Sequence, residues 1–125
     1  MATAEYEFDE FYAAHFAAIG TQIAAYLGDR AEAEDITQEA FERAWRRWSR
    51  ISGYGDPVAW VRTVAYRLAI SRWRRLRVAF AHRRQQRAEP VPPPDPEWLD
   101  LVAALATLPP QQRRVVVLYY LGDLS

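Results

Sequence analysis

The chain has 125 residues, half of them hydrophobic and 14% aromatic, which is enough for one domain with a real core or for one domain plus part of a second. It has no cysteine, which excludes disulfides and cysteine–zinc sites, and no apolar run near the roughly 18 residues of a membrane-spanning helix. Its acidic N-terminus lacks a signal-peptide pattern, so we expect a cytoplasmic protein with no membrane partner.

The formal net charge of zero conceals a strong segregation of charge along the chain. Residues 1–42 hold ten acidic residues and one arginine, residues 43–87 hold thirteen arginines and one acidic residue, and residues 88–125 are acidic again. A basic block of this size favours a polyanionic partner such as nucleic acid. The alternative is that the blocks neutralise one another within the fold.

Two amphipathic helices are predicted in the first 48 residues. Residues 8–27 repeat apolar side chains at spacings of three and four, and Gly28-Asp29 ends this helix. The second helix begins near Asp29, and its acidic start and basic end complement the helix dipole. Its predicted core stripe consists of Ala33, Ile36, Ala40, Phe41, Ala44 and Trp48.

A glycine-rich loop, residues 52–56, precedes a third helix that is predicted to start with Asp56 as N-cap and Pro57 at the first position. This helix extends to about residue 77 or 87. At about 100° per residue, several arginines fall opposite the apolar residues, together with Tyr66. Guanidinium groups pair with phosphates, and an aromatic ring can stack on an unpaired base. Arg72 projects toward the apolar side, where we expect it to snorkel or to pair with an acidic residue of the first two helices.

The segment after the third helix contains five prolines within residues 90–96 and is predicted to be an extended spacer. Two helices follow it, one over residues 98–108 and one after Pro109-Pro110. The second contains three consecutive valines, which favour a strand by propensity. We predict a helix there, since no other strand is available to pair with it.

Catalysis has little support in the sequence. His15 lies on an alanine-rich helix face, His82 lies in an arginine run, and neither has a nucleophile or a second histidine at catalytic or metal-ligand spacing. The acidic residues at the start of the second helix are explained by the helix dipole. We therefore predict no enzyme activity, no cofactor and no metal site.

Three segments resemble the extracytoplasmic-function group of the bacterial sigma-70 family, the transcription initiation factors. AEDITQEAFERAWRRW, residues 33–48, is similar to the polymerase-binding segment of that group through Asp35, Gln38, Glu39 and Phe41. DPVAWVRTVAYRLAISRWRR, residues 56–75, is similar to its segment for promoter opening and −10 recognition through Trp60, Ala65, Leu68, Ala69, Arg74 and Arg75. LATLPPQQRRVVVLYYLGDLS, residues 105–125, is similar to the opening of the second domain of the family.

The resemblance implies an all-α fold, with a sigma-2 type helical bundle in residues 1–87 and a proline-rich linker in residues 88–97. Residues 98–125 would be the first helices of a sigma-4 domain. The helix-turn-helix of that domain is missing after Ser125, so we expect a truncated chain. Arg67 and Ser71 stand where the group often has asparagine and aspartate, which predicts an unusual −10 preference.

The resemblance also implies two sites and their partners. The clamp coiled coil of the largest subunit of core RNA polymerase would be bound by Asp35, Gln38, Glu39, Glu42 and Arg43. The non-template strand of the −10 element, with one base flipped into the loop, would be bound by Ser52, Gly53, Tyr54, Gly55, Asp56, Arg62, Tyr66, Arg67, Arg74 and Arg75. An anti-sigma factor is a further candidate partner.

Two alternatives to a sigma factor remain open from the sequence. A free-standing DNA-binding regulator would bind duplex DNA tightly without polymerase. A polymerase-binding interaction module would bind the polymerase without supporting transcription.

Overall fold

The computed structural model describes residues 2–53, 55–86 and 95–121, which contain α-helices and no strand. The helices are α1 (Ala2–Leu27), α2 (Arg30–Arg46), α3 (Trp48–Ile51), α4 (Pro57–Gln86), α5 (Pro96–Ala106) and α6 (Pro110–Leu121). The predicted all-α class is confirmed, and the valine run lies in α6 as a helix. No helix in the described ranges is long and apolar enough to cross a bilayer.

The turn between α1 and α2 is fixed by Gly28 and Asp29, as predicted from the sequence. Gly28 has a φ of 75°, the left-handed region that favours glycine, and its N–H donates to the carbonyl of Ala24 at 2.8 Å. Asp29 caps α2, because its Oδ1 accepts from the N–H of Glu32 at 3.0 Å. The two helices therefore meet after a very short connection.

The second predicted helix is divided in the structure. α2 ends at Arg46, and Trp48 begins the short α3, although Trp48 is still buried as predicted. The predicted start of α4 is confirmed, since it begins at Pro57 and the Oδ1 of Asp56 accepts from the N–H of Ala59 at 3.0 Å. The first helix starts at Ala2, six residues before the predicted position.

The core lies where α1, α2 and α4 meet. Aliphatic and alanine side chains from all three helices fill it, among them Ile19, Ile36 and Ala65. Aromatic residues of α1 surround Phe41, with ring centroids 5.1–5.6 Å away at Phe11, Tyr12 and Phe16. The predicted buried stripe is confirmed in full, with five of its residues on α2 and Trp48 on α3.

Helices α5 and α6 pack on α1, and their residues Leu105 and Val117 belong to the same core. Arg113 of α6 is only 2% exposed in this packing. At the outer end of α5, the guanidinium of Arg30 lies 4.9 Å from the ring centroid of Trp98. The assignment of residues 98–125 to a second domain remains a prediction, but in this structure their helices share the core of the first.

Candidate functional site

The face of α2 opposite its buried stripe carries the residues that the sequence assigned to polymerase binding. Asp35, Gln38, Glu42 and Arg43 are exposed, and Glu39 is half-buried. The face is negative toward its N-terminal end and positive toward its C-terminal end, and its side chains are mostly hydrogen-bonding groups. It is therefore suited to a polar, charged partner surface.

Glu39 differs from the other four because both of its carboxylate oxygens already have partners. Oε1 accepts from Arg43 at 3.1 Å, and Oε2 accepts from Arg72 of α4 at 2.7 Å. Arg72 also donates to Glu32 at 3.2 Å. Of the two expectations for Arg72, pairing with acidic residues of α2 is confirmed. A partner that binds Glu39 must compete with a contact that holds α2 against α4.

The loop between α3 and α4 exposes Ser52, Gly53, Gly55 and Asp56. Tyr54, the fifth residue assigned to this loop, lies outside the described residues. A Cβ added at Gly55 would meet no atom within 4 Å, so the backbone there faces open space. The carboxylate of Asp56 is occupied in capping α4.

The arginines assigned to α4 are not equivalent. Arg67 and Arg75 are exposed, whereas Arg62 is half-buried and its Nε has no hydrogen-bond partner within the described ranges. The side chain of Arg74 lies outside the described residues. Two of the predicted contacts therefore face solvent directly on this helix.

Tyr66 does not lie on the exposed face of α4, contrary to the sequence prediction. Its side chain is fully buried, with its ring 5.5 Å from that of Tyr26 in an edge-to-face arrangement and 4.9 Å from the guanidinium of Arg114. Burial raises the pKa of the Tyr66 hydroxyl, against the opposing influence of Arg114 and Arg62. The helical projection failed here because it assumed one buried side, whereas α4 is covered by α1 and α2 and is also reached by α6.

A family model described as sigma-70 region 2 matches residues 11–79, which is more than half of the chain. The chain belongs to the sigma-70 family. As a sigma factor it acts in promoter recognition by RNA polymerase, and its partners are the core polymerase and promoter DNA. No curated protein and no solved structure matches the chain. All of the site residues predicted from the sequence fall within the matched region of this sigma factor.

A groove lies beside the α2 face of this sigma factor and was not predicted from the sequence. It has a volume of about 290 Å³ and is lined by Phe8, Tyr12, Gln38, Phe41, Glu42, Trp45 and Arg46. Trp45 is 44% exposed and packs its ring 5.1 Å from that of Phe8. A tryptophan outside the apolar stripe of α2 was the signal available in the sequence.

Tyr12 of α1 fixes the orientation of Gln38 in the sigma factor. The Tyr12 hydroxyl donates to Oε1 of Gln38 at 2.9 Å, which assigns the amide oxygen inward. The two N–H donors of the amide are left for a partner. The predicted polymerase contact is thus held in one orientation by a residue of another helix.

Substituting Tyr12→Phe is expected to lower the affinity for core polymerase roughly two- to fivefold, the worth of one hydrogen bond of about 0.5–1 kcal/mol. Equilibrium binding to immobilised core polymerase measures it, with Tyr120→Phe on exposed α6 as the matched control. In a Gln38→Ala background the Tyr12→Phe effect should vanish, and an undiminished effect there would show that Tyr12 acts independently of Gln38.

Proposed function

We propose that this protein is an extracytoplasmic-function sigma factor that brings core RNA polymerase to promoters, recognises the −10 element and assists promoter melting. The proposal rests on two solvent-facing surfaces of different chemistry, on two helices. Both surfaces lie within the residues that match the sigma-70 region 2 model. The first is the mixed-charge face of α2, and the second is the loop after α3 with the arginines of α4.

The α2 face is proposed to bind the clamp coiled coil of the polymerase largest subunit. The exposed carboxylates of Asp35 and Glu42 suit basic partner residues, and the oriented amide of Gln38 donates to a carbonyl or carboxylate. Arg43 gives the C-terminal end of the same face a positive group. Glu39 is a proposed contact of this face as well, and a partner must compete with Arg72 and Arg43 for its carboxylate.

The loop and α4 are proposed to bind the non-template strand of the −10 element. Arg67 and Arg75 face solvent and are positioned to neutralise phosphates, and the open backbone at Gly55 leaves room for an extruded base. Extruding a base costs a few kcal/mol, which contacts in the loop must offset. Ser52, Gly53, Tyr54, Asp56, Arg62 and Arg74 remain proposed contacts of this surface.

The organisation proposed around these surfaces follows the family pattern. Residues 1–87 would form the sigma-2 domain, residues 88–97 the linker and residues 98–125 the start of a sigma-4 domain. An anti-sigma factor is proposed as a regulatory partner in the bacterial cytoplasm.

A pull-down on core polymerase combined with run-off transcription decides among the three functions. A sigma factor binds core polymerase and supports initiation, a free-standing regulator binds duplex DNA without polymerase, and an interaction module binds polymerase without supporting transcripts. If neither this chain nor any longer form of it binds core polymerase, the proposal fails.

The double substitution Asp35→Ala with Gln38→Ala is expected to weaken core polymerase binding by at least about tenfold, corresponding to about 1.4 kcal/mol, with little change in melting temperature. Both side chains are exposed, and the hydrogen bond that Gln38 accepts from Tyr12 lies at the surface, so the fold should lose little stability. The matched control is Asp100→Ala with Gln112→Ala, which removes the same residue types from exposed positions of α5 and α6. Equal loss in both doubles would place the polymerase surface elsewhere.

The reciprocal arm of this experiment is Arg67→Ala, which should spare core binding and reduce open-complex formation on promoter DNA. Arg47→Ala, which removes an exposed arginine outside the proposed DNA surface, controls for lost charge. Loss of both activities in each variant would indicate damage to the fold.

A further inference from the structure

Helix α6 packs, through Arg113 and Arg114, against part of a surface that is unusually polar for the interior of a helical bundle. This surface, which we call the polar seam, consists of Gln22 and Tyr26 on α1 and of Arg62 and Tyr66 on α4, each pair one helical turn apart. Gln22, Tyr26 and Tyr66 are buried, and Arg62 is half-buried. The guanidinium groups of Arg113 and Arg114 lie 5.0 Å and 4.9 Å from the rings of Tyr26 and Tyr66.

Every member of the polar seam has a buried polar atom without a hydrogen-bond partner among the described residues. These atoms are Oε1 of Gln22, the hydroxyls of Tyr26 and Tyr66, and Nε of Arg62. Buried polar groups are normally satisfied, and each one that is not lowers the stability of the arrangement that covers it. Uncovering the seam would give these atoms hydrogen bonds to water or to a ligand.

Arg113 adds polar contacts to the apolar packing that holds α6 in place. Arg113 donates to the carbonyls of Leu105 at 3.0 Å, Leu108 at 3.1 Å and Tyr26 at 3.3 Å, so it joins the end of α5 to α1. Its guanidinium also lies 4.8 Å from the ring centroid of Trp73 on α4. One arginine of α6 therefore contacts α5, α1 and α4.

We propose that α6 and single-stranded promoter DNA compete for the polar seam, with Arg113 as the latch that keeps α6 in place. This inference rests on the proposed function, because the seam member Arg62 is a proposed DNA contact, while buried Tyr66, which the sequence also assigned to DNA, could reach it only after α6 moves. Once uncovered, the seam offers tyrosine rings for stacking on bases and an amide, hydroxyls and a guanidinium for base edges and phosphates. Arg114 leaves the Tyr66 ring as α6 moves away.

The substitution Arg113→Met tests the latch in the full chain, with binding of a short single-stranded DNA of mixed sequence measured by fluorescence anisotropy. Removing an arginine by itself weakens binding to a polyanion, so a gain of affinity in a variant that keeps the wild-type circular dichroism spectrum and melting transition indicates a newly uncovered binding surface. If about one molecule in ten is open in the wild type, the gain is roughly tenfold. The matched control is Arg47→Met, at an exposed arginine, which should show no gain.

A milder variant and a direct readout keep the test decisive if Arg113→Met fails to fold. Arg114→Gln removes only the cation over Tyr66 and should give a smaller gain. In the wild type, hydrogen exchange should increase in α6 when single-stranded DNA is added and should decrease in α4.

Unchanged or lower affinity in both variants, with no change of exchange in α6, would overturn the latch. Binding of core polymerase by the same variants is the separate readout. If the variants bind core polymerase as the wild type does but show no gain of affinity for DNA, the latch is contradicted and the proposed function is unaffected. If the wild-type protein does not bind core polymerase, the proposed function itself fails.

Discussion

Replacing Phe41 by alanine is expected to lower the free energy of unfolding by about 3–5 kcal/mol, the largest effect among the substitutions considered. Phe41 is 1% exposed and lies among the rings of Phe11, Tyr12 and Phe16, so truncation leaves a cavity where α1 and α2 meet. Urea denaturation followed by circular dichroism measures the loss.

Phe41→Leu is the control, because it keeps most of the buried volume and should cost less than about 1.5 kcal/mol. A similar loss in both variants would mean that the ring does not fill the space described. Phe41 is also one of the residues that match the polymerase-binding motif. Its burial predicts that any loss of polymerase binding in Phe41→Ala follows the loss of stability.

Replacing Gly28 by alanine is expected to lower the free energy of unfolding by about 2–3 kcal/mol, from two separate causes. The left-handed φ of 75° disfavours any residue with a Cβ, and a Cβ at this position would lie 2.8 Å from Cγ1 of Val102 on α5. Thermal and chemical denaturation measure the loss, and hydrogen exchange should show that α5 loosens from α1.

Gly55→Ala is the matched control, since its Cβ would meet nothing within 4 Å, and we expect a change within about 0.5 kcal/mol. If Gly28→Ala were as well tolerated as Gly55→Ala, α5 would not pack against the α1–α2 turn as described.

The helices and their ends could be predicted from sequence because the signals are local. Asp29 and Asp56 precede helices that they cap with their own side chains, and Gly28 ends α1 by a conformation that only glycine adopts easily. The core stripe of α2 was predictable because one side of that helix is buried and the opposite side is exposed. The break at Arg47, which separates α3 from α2, had no comparable signal.

The burial of Tyr66 and Arg113 could not be predicted, because both depend on packing between helices that are distant in sequence. Arg113 is stable inside because its guanidinium donates to the carbonyls of Leu105, Leu108 and Tyr26, and a carbonyl oxygen such as that of Leu105, which also accepts from the N–H of Leu108, has two lone pairs. The sequence of one helix does not show which backbone carbonyls of other helices lie within reach of its side chains.

The candidate site was predictable in part. The exposed residues of the α2 face followed from helical spacing and the family resemblance, but the bond from Tyr12 to Gln38 joins residues of different helices. The sequence did not show that Glu39 holds α4. It predicted only that Arg72 would pair with some acidic residue of the first two helices.

The fork of Arg72 has a mechanical consequence. Glu32 and Glu39 are seven residues apart on α2, about two turns or 10 Å along the helix axis, and one guanidinium of α4 contacts both. Sliding or rolling of α2 against α4 would lengthen at least one of these contacts. The register between the two helices is therefore held at two points, and the angle between the two proposed binding surfaces, one on α2 and one on α4, is set before any partner binds.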